Sequence, residues 1–507
     1  MSRARLAAVA WAALLAVAMT CWVLALPRRL GDADEAQLLY ESRRLLDGAV
    51  LYRDVYEITP PGSLWLFAAG FGLFGTSMLV ARALSGVVQG VLVALVWLTA
   101  RQAGVPPGLA TALGLVHATL LYPVWPYASP HWLGTIILLA LLAVELRSAR
   151  RGGGFLAAGL VCGSMFWMQH QRGVVLAIGA TALVVLETLL LHPGPKLRTM
   201  TRAVARFAGG GLAATLPLAA WILLTSGFAS PFDALILLPL TGYREYNQIG
   251  WGGGARHPML VENAAATFPA LLAWMPLLTV LELVRTMRAL LRGDLPGARV
   301  AFRLAGVSML AIGSVLYFPD FIHLAFVAPV FLVLLGDLMT RALVHRRVLR
   351  AGAPVAAAAL MATALVCGGL YWRRTWTRAY PYESAFGLVH LARPMQGRGL
   401  DALRAWLREQ NARETFVYPY GASIYLLTGT TNPTPFQILH PTYSAPRHFG
   451  RALIDLAEHG DPPLLVVFNH ARPEDPLVAA TAGSYRRVVD DTVTQNLGLY
   501  IYERRPD

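Results

Sequence analysis

The feature that most restricts this chain is the recurrence of apolar stretches about as long as a bilayer is thick. Taking runs of about 17 to 25 apolar residues as membrane-crossing helices, spans are expected near residues 6–26, 78–100, 106–121, 132–146, 155–168, 174–191, 207–226, 262–284, 304–318, 323–340 and 353–372. Hydrophobic residues make up 56% of the 507 and charged ones only 14%, with a mean hydropathy of +0.51. That is more apolar surface than one soluble core needs, so a soluble enzyme is excluded and the class is polytopic membrane protein. A net charge of +14 would point to nucleic acid in a soluble protein. Here the basic residues fall in short loops between apolar runs, where they act as topology signals, and no nucleic-acid partner is expected.

Those basic residues test the count of about eleven spans. With the N-terminus inside, every inside loop is basic: Arg3/Arg5, Arg101, Arg147/Arg150/Arg151, Lys196/Arg198/Arg202/Arg206, Arg285/Arg288/Arg292/Arg299/Arg303 and Arg341/Arg346/Arg347/Arg350. The opposite loops are mixed or nearly uncharged, so the first loop (residues 28–77) and the C-terminus face outward in a plasma or bacterial inner membrane. Cys21, Cys162 and Cys367 each sit in a separate apolar run, which suggests neither a disulfide framework nor a thiolate metal site. The first apolar run is long enough to span and lacks a small-x-small cleavage site before the acids, so it is expected to remain as the first span.

The first outward loop concentrates acids: Asp32, Asp34, Glu35, Glu41, Asp47, Asp54 and Glu57. Residues 62–75 within it are apolar but short and glycine-rich, as suits a re-entrant or interfacial helix. Beyond residue 372 the charge density becomes ordinary and the tail (373–507) takes the pattern of a small α/β domain. Helices are expected at 399–410 and 423–428, strands at 415–418 and 464–468, and a terminal hairpin pairs 485–489 with 499–502 around a turn-rich 491–498.

Four features together resemble the GT-C glycosyltransferases of the protein-O-mannosyltransferase and aminoarabinose-transferase type. They are Asp34-Glu35 just after the first span, with Leu51-Tyr52-Arg53-Asp54 and Glu57-Ile-Thr-Pro-Pro-Gly further on; Gln171-Arg172-Gly173 at an outward helix end; Asp320-Phe-Ile-His323 at the outward start of a late span; and the overall plan. The resemblance implies an all-α, GT-C-like membrane domain (1–372) with an outward α/β domain (373–507). It also implies transfer, with inversion, of a sugar from a polyprenyl-phosphate donor to a hydroxyl of a glycan, lipid or protein acceptor. Thr59 stands where many relatives carry a lysine, so any phosphate contact made by that lysine must come from elsewhere or be absent. The Trp-Trp-Asp signature of oligosaccharyltransferases is absent, which argues against transfer of a preassembled glycan to asparagine.

Such chemistry needs a base for the acceptor proton, a cationic cradle for the departing phosphate and a dry cleft. Asp34 occupies the position that the resemblance marks as catalytic, with Glu35 orienting it or binding a sugar hydroxyl and Glu57 lining the site. The same acids also fit an N-cap for the helix starting near Ala36. Phosphate-binding candidates are Arg172, Arg244, Arg256 and His323, joined by Gln171 and Asp320; Tyr243, with Tyr246 and Asn247, suggests a sugar-binding surface. The glycine-rich Gly252-Gly253-Gly254 suits a loop that closes over substrate. No cofactor is required; if a divalent cation such as Mg²⁺ or Mn²⁺ is used, Asp32, Asp34 and Glu57 supply hard oxygen ligands. Trp125, Tyr127, His131 and Trp132 fit an interfacial aromatic belt. The alternative of a lipid-linked sugar flippase or other transporter predicts ionisable groups at mid-span and symmetric halves; here such groups lie mostly at the outward ends, and the halves do not match.

Overall fold

The computed structural model describes residues 3–505 apart from 32–33, 152, 192–195, 243–247, 254–273, 346–351, 443, 459–463, 469–473 and 489–490. Helices dominate, because continuous apolar runs in a bilayer must satisfy their backbone groups internally. The membrane part comprises α1 (Arg3–Leu24), α2 (Asp34–Leu46), α3 (Gly62–Phe74), α4 (Met78–Ala103), α5 (Pro107–Val116), α6 (Pro130–Arg151), α7 (Phe155–Met168), α8 (His170–Leu191) and α9 (Lys196–Ser226). It continues with α10 (Met275–Leu291), α11 (Leu295–Gly313), α12 (Phe321–His345) and α13 (Gly352–Trp376). Among the described residues nine helices are long and apolar enough to cross a membrane; α5 reaches that length only together with a π turn (His117–Leu121) and a 3-10 turn (Tyr122–Val124). The expected spans 155–168 and 262–284 correspond to the shorter α7 and α10, and the first half of the latter range lies outside the described residues. The short loop helix expected at 62–75 is α3.

One expected boundary moves. Gln171, Arg172 and Gly173 lie in the first turn of α8, which starts at His170, and not on a loop between helices. Only Gln169, extended at φ −153° and ψ 106°, separates α7 from α8.

The tail forms an antiparallel hairpin, β1 (Tyr380–Ser384) with β2 (Gly387–Leu391), and then a mixed four-stranded sheet. In the sheet β3 (Thr415–Tyr418) runs parallel to β4 (Leu464–Phe468), while β6 (Leu499–Arg504) is antiparallel to both β4 and β5 (Tyr485–Val488). The terminal strands pair as expected, but the segment between them is a helix (Asp491–Leu497) rather than a turn. The reason is packing: Val493 is fully buried, and a side chain at Gly399 would meet Leu497 Cγ at 2.7 Å, so this helix rests on the bare face of the helix Pro394–Glu409. The tail shares its core with the first loop, since Ala36, Leu39, Tyr52 and Phe71 pack in one cluster with Phe386, Leu403, Val417 and Tyr425.

Candidate active site

Successive helix residues turn by about 100°, so α2 sends its two leading acids in different directions. Asp34, Gln37 and Leu38 line a cavity of about 180 Å³, shared with Glu57, Thr59, His131 and the tail's His448. The Asp34 side chain keeps contact with this space, yet surrounding protein raises its carboxyl pKa by desolvation; His323 opposes that shift and Asp320 adds to it. Glu35 faces the other way. It is 1% exposed, takes Nη2 of Arg82 at 2.7 Å, and accepts the backbone N–H groups of Gly31 and Ala128, both at 2.7 Å. The expectation that Glu35 orients the base or binds sugar is therefore corrected: its acceptors are spent on pinning the start of the loop to α4 and to the segment before α6.

Two further carboxyls stand beside Asp34. Gln37 Nε2 donates to Glu57 Oε2 at 2.6 Å and to Glu41 Oε1 at 2.9 Å, and Thr59 N–H donates to Glu57 Oε1 at 2.8 Å. Burial raises both pKa values, and for Glu41 the charge of Glu57 raises it further, so Glu41 is the more strongly raised of the two. Glu41 is not among the residues that the sequence marks for the site, although Asp34, Gln37 and Glu41 share one helix face at i, i+3 and i+7.

The far wall is built by the turn into α12. Asp320 caps the helix by accepting His323 N–H at 2.7 Å, and His323 Nδ1 lies 2.6 Å from the same oxygen. The His131 ring stands edge to face with His323 at 4.5 Å and receives Gln169 Nε2 on Nδ1 at 2.8 Å. Next to Gln169 lies Arg172, fully buried; among the described residues no carboxylate pairs with its guanidinium, and the Tyr317 hydroxyl is the polar side chain in reach of it. A side chain on Gly134 would sit 3.2 Å from Arg172 Nη1 and from Gln169 Oε1, so the missing Cβ makes room for both. The neighbouring Tyr317, exposed by surface area, has its phenol pKa raised by desolvation from the surrounding protein, and the charge of Arg172 counters that shift.

The cavity is closed from the tail. Asp233, in the short apolar stretch Ala229–Leu240, receives Tyr56 Oη at 3.0 Å and His448 Nε2 at 2.8 Å, and pairs with Arg447. Ala445 N–H donates to His448 Nδ1 at 3.2 Å, which leaves the ring proton on Nε2, facing Asp233.

Of the expected residues, the structure gathers Asp34 and Glu57 on the cavity, with Asp320 and His323 against them and Arg172 behind His131. Gln171 is half-buried and lines neither of the two large cavities; Gln169 makes the contact with His131 instead. His131, expected in an aromatic belt, belongs to the site, and Trp132 is core. Tyr243, Arg244, Tyr246, Asn247, Arg256 and Asp32 lie outside the described residues, and with them the expected sugar-binding surface and one corner of the three-carboxylate metal arrangement. Among the described residues no group of three His, Cys, Asp or Glu side chains is set to hold a metal ion. The glycine-rich loop is anchored at its start, where Gly252 N–H reaches Pro319 O at 2.8 Å and Gly253 O receives Phe321 N–H at 2.9 Å.

Known proteins share this arrangement of helices. The model of the dolichyl-phosphate-mannose-protein mannosyltransferase family matches residues 59–210. ArnT from Cupriavidus metallidurans bound to undecaprenyl phosphate superimposes with a TM-score of 0.52 at 16% identity, covering 96% of this chain and 97% of that one. The fold is GT-C. The apo form of the same ArnT gives a TM-score of 0.52 at 16% identity over 98% of both chains. The Archaeoglobus fulgidus oligosaccharyltransferase, tethered with an acceptor peptide containing the NVT sequon, gives 0.50 at 12% identity over 98% of this chain and 74% of that one. No curated protein matches the sequence. The GT-C fold and the apolar helices make the chain an integral membrane protein.

Proposed function

We propose that the protein is an inverting glycosyltransferase that moves a hexosyl or pentosyl unit from a polyprenyl-phosphate donor to an acceptor hydroxyl. The acceptor is a glycan, lipid or protein, and the cleft faces the extracytoplasmic side, with the N-terminus cytoplasmic and the tail outside. The observation that carries this reading is the placement of Asp34: a carboxylate open to a cavity, its pKa raised by the surrounding protein, near the Asp320–His323 pair and a buried arginine that no carboxylate answers among the described residues. Asp34 accepts the hydroxyl proton as the acceptor oxygen attacks the anomeric carbon. The bond from that carbon to the phosphate oxygen breaks on the opposite face, and the phosphate leaves with the electron pair. Arg172 and His323 offset the charge gathering there.

A raised pKa suits this base, because a more basic carboxylate takes the proton more readily. The tail contributes through His448, which fixes Tyr56 and Asp233 at the rim and so narrows the way in for the acceptor. The test is turnover of radiolabelled polyprenyl-phosphate sugars by the purified protein, with the anomeric configuration of the product read by NMR. Turnover with inversion supports the reading. Activity unchanged in a folded Asp34→Asn variant overturns the assignment of the base.

A further inference from the structure

A second cavity, of about 380 Å³, lies on the other side of the Glu35–Arg82 clamp, and the transfer reaction gives it no role. It forms where the end of α1 (Val23, Leu26) and the end of α13 (Tyr371, Thr375) meet the tail strand β2 (Val389–Leu391). The two spans are joined there: Met19, Val23 and Tyr371 share a small core, and Trp376 Nε1 donates to Ala25 O at 3.0 Å. The outer surfaces of both helices, with Val17, Leu24, Leu370 and Trp372 exposed, suit lipid contact. The cavity thus sits at the level where two spans leave the bilayer.

Its polar lining has one sign. Arg29, Arg82 and His390 face it, with the phenols Tyr122, Tyr127 and Tyr371, and no carboxylate is among its lining residues. Glu35 answers Arg82 from behind. Arg29 has no such counter-ion: Nη2 donates to the carbonyls of Thr375 at 3.0 Å and Arg378 at 2.7 Å, and Nε is buried without a partner among the described residues. His390 Nδ1 accepts Arg28 N–H at 3.0 Å, which leaves Nε2–H as the ring's donor. Burial, followed by the charges of Arg28 and Arg29, lowers the His390 pKa, so this ring is a neutral donor while the positive charge resides on the arginines. Phenol and guanidinium donors around a space without carboxylates suit an oxyanion with several acceptor oxygens, and phosphate is the group of that kind found at a membrane surface.

We propose that this cavity is a binding site for the phosphate of an anionic lipid headgroup, held by Arg29 and Tyr371 and separate from the Asp34 cleft. A lipid seated there ties the ends of α1 and α13 to β2, so the tail becomes anchored to the bilayer through a bound lipid as well as through the chain. Free phosphate esters share the headgroup chemistry, and the experiment separates the two sources.

The test follows thermal unfolding of the full-length protein in neutral detergent while titrating dioleoyl phosphatidylglycerol, dioleoyl phosphatidylcholine or inorganic phosphate. Saturable stabilisation by phosphatidylglycerol and not by phosphatidylcholine is expected, with apparent affinity falling about tenfold or more in Arg29→Gln and in Tyr371→Phe, as for lost hydrogen bonds to a charged group. Tyr371→Phe keeps the buried ring, so it remains informative if Arg29→Gln fails to fold. Equal stabilisation by both lipids, or unchanged affinity in the folded variants, overturns the site. Stabilisation by inorganic phosphate alone, lost in the same variants, overturns the lipid source and supports a soluble phosphate ester. Asp34→Asn is expected to bind phosphatidylglycerol as the parent does, so failure of the transferase reading leaves this result unaffected.

Discussion

The two ends of the helix bundle treat a buried arginine in opposite ways. At the cleft end Arg172 is fully enclosed, and no carboxylate or carbonyl receives its guanidinium among the described residues. About 22 Å further along the same helix, at 1.5 Å per residue, Glu187 meets Arg303 at 2.7 Å, and Glu145 of α6 meets that arginine at 2.7 Å as well. The Arg303 cluster is electrostatically closed, as a structural ion group in a low-dielectric interior must be. Arg172 has no carboxylate partner among the described residues, and a buried charge without one costs stability. The contrast sets a paired ion group at one end of the bundle against an arginine without a counter-ion at the other, the residue proposed to meet the donor phosphate.

The strongest way to break this contrast is at the base. Asp34→Asn is expected to lower turnover by about 10²–10⁴-fold, the usual weight of a general base, with thermal stability unchanged or slightly raised because a desolvated carboxyl has been made neutral. A loss of folding instead of turnover moves Asp34 to the framework. Next in size is Arg303→Met, which leaves Glu145 and Glu187 without their partner; a stability loss of about 3–5 kcal/mol is expected, measured by denaturant unfolding in detergent, with turnover per folded molecule retained. Arg172→Leu is the mirror experiment. It removes a charge that has no carboxylate partner among the described residues, so the unfolding midpoint is expected to hold or rise while turnover falls by about 10²–10³-fold, as for a lost oxyanion contact. If Arg172→Leu destabilises and Arg303→Met abolishes turnover, the assignment of the two ends is reversed.

How much of this is legible in the sequence depends on whether the determinant is local. The apolar helices are legible because a bilayer demands unbroken apolarity, and the stretch 155–168 coincides with α7, although that helix is shorter than the nine that are long enough to cross a membrane among the described residues. Asp34 is singled out in the sequence only through its resemblance to relatives, and the structure places it on the cavity. Glu35 misleads because adjacency in sequence is not adjacency in space, and a helix separates neighbours by about 100°; the i, i+3, i+7 pattern picks Gln37 and Glu41 instead. Arg172 is expected at an outward helix end and lies in the first turn of α8, but its burial is not legible, because it depends on the room that Gly134 on α6 leaves. His448 and Asp233 carry no sequence signal, since they meet across 215 residues of chain and each alone looks like an ordinary surface residue. Arg29 and Tyr371 belong to the same class, being brought together by packing of the first and last spans.

The smallest expected effect concerns the carboxyl pair beside the base and sharpens the contrast within the cleft itself. Glu41 has its pKa raised well above the ordinary glutamate value of 4.5, first by burial and then by the charge of Glu57. The folded protein therefore keeps a proton at Glu41 that the unfolded chain gives up above that value. A group of this kind stabilises the fold fully below its unfolded pKa, and that contribution is lost as pH rises through the folded pKa. In Glu41→Gln the amide still donates to Glu57 but no longer titrates. The parent is expected to lose thermal stability as pH rises from about 5 to 8 and the variant to lose less, by about 1.4 kcal/mol for each tenfold by which folding tightens the hold on the proton. The measurement is the unfolding midpoint of both proteins across that range. Parallel curves would mean that Glu41 does not hold the proton, and that Glu57 faces the cleft as a neutral acid rather than as the charged neighbour of Asp34.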